Sequence, residues 1–226
     1  MKHNYTPQDI PWSNLQAWFF DLDGTLMDTD DQTVESLAQR LHWLGTIRSK
    51  RIARRLVMMG ETPMNDFLTL LDIVGLDALL FSLRKRLSHT SKPTFQIIPK
   101  VKPVLTYLAN QKMLAVVSTR SQEDAQAFLE QHALAQHFQL VVTQETTKRL
   151  KPHPQPILYA TEHLNVTPEQ CVMVGDTPVD ILAARRAGAW AVGVLCGFGE
   201  ESELWRAGAH IVLPSTADLL QIVHQN

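Results

Sequence analysis

From residue 99 onward the chain alternates apolar runs of strand length with helical patterns, and this rhythm limits the fold more than any other feature. The runs cover 113–117, 138–142, 171–174, 189–194 and 211–213. Helical patterns are expected between and after them, over about 101–111, 122–132, 155–164, 179–187, 201–206 and from Ala217 on. A run that is apolar at nearly every position is buried on both faces. That is the condition of a parallel sheet whose crossover helices cover it above and below. An earlier run over about 17–21 supplies one more strand. The expected fold class is therefore α/β, a doubly wound parallel sheet.

One stretch breaks the rhythm. After Gly24-Thr25, Thr29 or Asp30 can cap a helix through Val34, Leu37, Leu41 and Leu44, which Gly45 stops. Helical patterns follow over about 47–59, 63–73 and 77–88, until Lys92-Pro93 and Pro99 end them. The expected organisation is an α/β core of residues 1–28 and 96–226 with an inserted α-helical module, 29–95. Its crossings, near 27–29 and 91–98, would be hinges. A module inserted behind the first strand belongs above the carboxyl edge of the sheet, the position of a lid.

Composition narrows the function by exclusion. A formal net charge of −2 over 226 residues gives no overall attraction to nucleic acid or an anionic membrane. Cys171 and Cys196 have no metal-type spacing and suit a reducing compartment. The start of the chain is polar and contains Pro7 and Pro11, unlike a secretory signal. No apolar run approaches the roughly 20 residues needed to span a bilayer. A cytoplasmic protein is expected.

Candidate chemistry gathers at the strand exits. Trp18-Phe19-Phe20 leads into Asp21-Leu22-Asp23-Gly24-Thr25, two carboxylates at alternate positions whose repulsion calls for a cation. A hard divalent ion such as Mg2+ takes such oxygen ligands together with a substrate phosphate. Ser118-Thr119 follows the 113–117 run, and Ser118 can present a hydroxyl there or, like Ser121, cap the next helix. Lys151 follows the 138–142 run and is stiffened by Pro152, Pro154 and Pro156, so it can neutralise an anion or lie solvated. Val174-Gly175-Asp176-Thr177-Pro178-Val179-Asp180 repeats strand, glycine and acid, and there capping and metal binding are compatible.

Taken together, Asp21-Leu22-Asp23-Gly24-Thr25, Ser118, Lys151-Pro152 and Gly175-Asp176-Thr177-Pro178-Val179-Asp180 resemble the four motifs of the haloacid dehalogenase superfamily. Within it the chain is similar to the phosphoglycolate phosphatase and β-phosphoglucomutase group, whose cap follows the first motif. The tail from Gly193 through Gly199 to Ala207-Gly208-Ala209 is similar as well. Thr119-Arg120 departs from that group, which often has Asn after the Ser or Thr of the second motif.

The resemblance implies a Rossmann-like core and Mg2+-dependent hydrolysis of a small phosphate monoester through an aspartyl-phosphate. Asp21 would be the nucleophile and Asp23 the proton carrier. Ser118, Thr119 and Lys151 would hold the phosphoryl group. Asp21, the Asp23 main-chain carbonyl, Asp176 and Asp180 would hold the metal. The implied partner is a small phosphorylated metabolite, with no nucleic acid and no membrane. A dehalogenase of the family would lack Asp23. A sugar-phosphate mutase would share the core, and a catalytically idle binding or regulatory protein is the alternative of a different class. The basic residues Arg48, Lys50, Arg51, Arg54, Arg55, Arg84, Lys85 and Arg86 read either as a solvated face or as a recruiter of acidic substrate. The specific ester and the oligomeric state are not legible.

Overall fold

The computed structural model describes residues 10–28 and 95–223. By its internal contacts the chain divides into two units, Met1–Thr29 with Phe95–Asn226, and Asp30–Thr94. The helices expected between 29 and 95, and the basic residues on them, lie outside the described residues.

Six parallel strands form the sheet. They are β1 (Ala17–Phe20), β4 (Met113–Val117), β5 (Leu140–Val142), β6 (Cys171–Gly175), β7 (Trp190–Val194) and β8 (Ile211–Leu213). Their spatial order is β5-β4-β1-β6-β7-β8. The strand order reverses beside β1, so the exits of β1, β4 and β6 meet at a topological switch point, where open α/β sheets bind ligands. A two-stranded antiparallel ribbon joins β2 (Met27–Asp28) to β3 (Gln96–Ile97). The two crossings expected as separate hinges are thus paired to each other, Met27 opposite Ile97 and Asp28 opposite Gln96.

Side-chain alternation accounts for the two covered faces. Trp18, Phe20, Leu114, Val116, Val172 and Val174 enter one buried cluster with Val104 and Leu105 of α1 (Val101–Ala109) and Phe128 of α2 (Gln122–Gln131). Ala17, Phe19, Ala115, Val117, Cys171 and Met173 enter the other. There they meet Ile157 of α3 (Gln155–His163), Ile181 of α4 (Pro178–Ala187) and Leu204 of α5 (Glu201–Ala207). A last helix, α6 (Leu219–Val223), adds Leu219 to the first cluster. This is a doubly wound α/β sheet, as the apolar runs require.

The strand expected over 138–142 starts two residues late. Residues 135–137 form a 3-10 turn that Phe138 closes by donating its N–H to the Ala135 carbonyl. Among the described residues, no helix is long and apolar enough to cross a membrane.

Candidate active site

The first strand stops at Phe20, and the two carboxylates behind it differ in burial. Asp21 still donates its N–H to the Val174 carbonyl of β6 at 3.0 Å, so it sits just past the ladder. The chain then turns on Leu22, whose carbonyl accepts from the amides of Thr25, Leu26 and Met27. Gly24 takes the left-handed φ of +66° that this turn requires. Asp23 therefore lies in a turn and not on a strand, yet its charge still acts on Asp21. Leu22 is fully buried, Asp21 is buried and Asp23 is half-buried.

Asp21 meets the residues from the third and fourth motifs. The Lys151 ammonium lies 2.9 Å from Asp21 Oδ1 and 2.6 Å from Asp180 Oδ1, and donates to the Val117 carbonyl at 2.8 Å. Lys151 is only 7% exposed. It is an interior counter-ion, not the solvated surface lysine that a loop position also allowed. Burial alone would lower its pKa, but the Asp180 and Asp21 carboxylates outweigh burial, and the net displacement is upward.

The strand exit of β6 supplies the other two acids. Asp176 is fully buried. Its Oδ2 accepts the Phe198 amide at 2.7 Å and its Oδ1 the Thr25 hydroxyl at 3.3 Å. Asp180 Oδ2 accepts both the amide and the hydroxyl of Thr177, at 3.1 and 2.7 Å. Asp180 thus caps the first turn of α4 with one oxygen and faces Lys151 with the other. Of the two capping positions open from the sequence, Asp176 or Thr177, the helix takes Thr177, with Asp180 closing the capping box, and Asp176 is released from capping.

Three carboxylates against one ammonium leave a formal excess of negative charge in a buried place. One ligand atom from each of Asp21, Asp176 and Asp180 lies within 4.8 Å of the others. Burial first, then Asp180 and Asp23, push the Asp21 pKa up to about 7 against the pull of Lys151. Burial, Asp180 and Asp21 push Asp176 well above the ordinary carboxylate range. Asp21 Oδ1 is buried, with the Lys151 ammonium facing it at 2.9 Å. An all-oxygen set, buried and with excess negative charge, fits a hard divalent cation.

The second motif divides its labour. Ser121 caps α2, its Oγ accepting the Asp124 amide at 3.1 Å, which leaves Ser118 buried at the β4 exit. Thr119 is exposed on the loop. Arg120 turns back across it and donates Nε and Nη2 to Asp23 Oδ2 and Oδ1, each at 2.7 Å.

Sequence reasoning missed this pair and the loop after β7. A methyl group on Gly197 would overlap the Asp176 carboxylate and come within 2.6 Å of Gly24 Cα. The Gly197-Phe198-Gly199 spacing was the available signal, since close backbone approach needs glycine.

Residues 18–194 match the family model described as haloacid dehalogenase-like hydrolase. The chain is 29% identical to the pyrophosphatase PpaX of Anoxybacillus flavithermus, over 93% of this chain and 97% of that protein. It is 26% identical to the phosphoglycolate phosphatase of Salmonella typhi, over 92% of each. Among solved structures, a haloacid dehalogenase-like family hydrolase of Streptococcus pneumoniae superposes with a TM-score of 0.67 at 23% identity. That match covers 92% of this chain and 98% of the other.

Proposed function

Because the chain belongs to the haloacid dehalogenase-like hydrolases, we propose that it is a Mg2+-dependent phosphatase of a small phosphate monoester, working through an aspartyl-phosphate. The observation that carries this reading is the convergence of Asp21, Asp176, Asp180 and Lys151 in one buried cluster at the switch point of the sheet. The names of the relatives, pyrophosphatase and phosphoglycolate phosphatase, support a small phosphorylated substrate. In this reading 1–28 and 96–226 are the catalytic core and 29–95 the inserted cap.

Asp21, Asp176 and Asp180, with the Asp23 main-chain carbonyl, would hold Mg2+, which supplies positive charge to the carboxylates and to the phosphoryl group in transfer. An Asp21 carboxylate oxygen attacks phosphorus as the bond from phosphorus to the leaving oxygen breaks, and Asp23 gives that oxygen its proton. Water then attacks the aspartyl-phosphate, Asp23 takes the water proton, and phosphate departs with Asp21 restored. Lys151, 2.9 Å from Asp21 Oδ1, steadies negative charge on the nucleophile and on the phosphoryl group attached to it. Ser118, and Thr119 on its exposed loop, offer hydroxyls to the phosphoryl oxygens.

The test is phosphate release from p-nitrophenyl phosphate, pyrophosphate and phosphoglycolate, with Mg2+ and with EDTA. Release should require Mg2+ and fall at least roughly 10³-fold in Asp21→Asn. Release that survives EDTA, or survives Asp21→Asn, overturns the proposal.

A further inference from the structure

We propose that Arg120 is a positioning residue for Asp23, its guanidinium fork fixing the plane of the carboxylate that carries the proton. This inference rests on the reading of Asp23 given above. The pairing is bidentate, Nε to Oδ2 and Nη2 to Oδ1, both 2.7 Å, so it constrains direction as well as distance. Each carboxylate oxygen has two lone pairs. The fork engages each oxygen once, which fixes the plane of the carboxylate without using its whole acceptor capacity.

The fork is itself held. The Arg120 amide donates to Ser118 Oγ at 3.2 Å, and its carbonyl accepts the Gln144 amide at 3.1 Å. Its guanidinium carbon lies 5.7 Å from the centroid of the Phe95 ring, within cation–π range. Phe95 is fixed in turn by Gln131 of α2, which receives its amide at 3.3 Å and donates to its carbonyl at 2.6 Å. The loops after β1, β4 and β5 and the residue before β3 are thereby tied to one residue, through its main chain and its guanidinium. A salt bridge needed only for surface charge balance would not require this seating. Lysine would keep the charge but not the fork.

Proton transfer needs the carboxylate oxygen within hydrogen-bond reach of the leaving oxygen. Loosening Asp23 therefore costs most when the leaving group cannot depart as an anion. A phenol leaving group resembles a tyrosine side chain, with a pKa of about 10. Nitrophenol is more acidic and needs the proton less.

The experiment compares kcat/KM for phenyl phosphate and p-nitrophenyl phosphate in the wild type, Arg120→Gln, Arg120→Lys and Asp23→Asn, with Mg2+ present. Arg120→Gln should lose roughly 10–100-fold on phenyl phosphate, within what a general acid contributes, and several-fold less on the nitrophenyl ester. Arg120→Lys should move the ratio the same way, and Asp23→Asn at least as far. Adding Arg120→Gln to Asp23→Asn should move it no further. The ratio is taken within one preparation, so a partly folded variant does not distort it. Equal losses on both esters in Arg120→Gln, while Asp23→Asn shifts the ratio, overturn the role of Arg120. An unshifted ratio in Asp23→Asn overturns the reading of Asp23 beneath it.

Discussion

Stability of the metal-free protein should fall as pH rises, and Asp21 should be a main cause. Its pKa moves from the ordinary 3.8 to about 7, with burial as the largest cause. A group raised in the folded state contributes stability that is fully present below its unfolded value and lost as pH rises through its folded value. The window is therefore about pH 4 to 7. At about 1.36 kcal/mol per pH unit, the move corresponds to about 4 kcal/mol. Asparagine at position 21 keeps the side-chain shape without the charge, so it isolates this contribution. In EDTA, urea denaturation followed by circular dichroism should give Asp21→Asn and wild type similar stability near pH 4. By pH 8 the variant should be the more stable by about 4 kcal/mol. Mg2+ should narrow the gap by stabilising wild type, by roughly 2.7 kcal/mol at a hundredfold excess over its dissociation constant. Parallel stability curves for the two proteins from pH 4 to 8 in EDTA would refute the reasoning. So would Mg2+ stabilisation of Asp21→Asn equal to that of wild type.

Lys151→Met removes the cation facing Asp21 and Asp180, and should cost roughly 3–5 kcal/mol at pH 8 in EDTA, as stranding a buried carboxylate does. The same denaturation assay should show a smaller loss near pH 5, where Asp21 is protonated; a loss that does not change with pH counts against the counter-ion role. Gly197→Ala pushes a methyl group into the Asp176 carboxylate, and should cost about 1–3 kcal/mol of thermal stability. It should also raise the Mg2+ concentration for half-activation roughly tenfold, which about 1.4 kcal/mol of lost affinity would produce. Unchanged Mg2+ activation in a Mg2+ titration of phosphate release would detach the 197–199 loop from the site.

How much of this was legible depends on whether a position is set by sheet topology or by loop closure. Ala17–Phe20, Met113–Val117 and Cys171–Gly175 are apolar at nearly every position, so both-face burial and parallel pairing could be read directly from them. Once those strands are parallel, their carboxyl ends lie side by side. Asp21, Ser118 and Asp176 are then neighbours before any side chain is placed. Lys151 was legible only as a candidate, since no local pattern announces that a loop lysine will be buried against two acids. The turn on Leu22, where three amides converge on one carbonyl, ends the strand before Asp23, and no strand period announces it. The remaining parts were invisible for a shared reason. The Phe198 amide reaches Asp176 across 22 residues, and the Arg120 fork reaches Asp23 across 97. Neither contact leaves a periodic trace. Arg120 showed in the sequence only as a departure from the pattern of the second motif. Departures of that kind mark where loops, not strands, fix the geometry. That is why the proposed nucleophile could be read from a strand exit, while the residue proposed to position Asp23 required the folded chain.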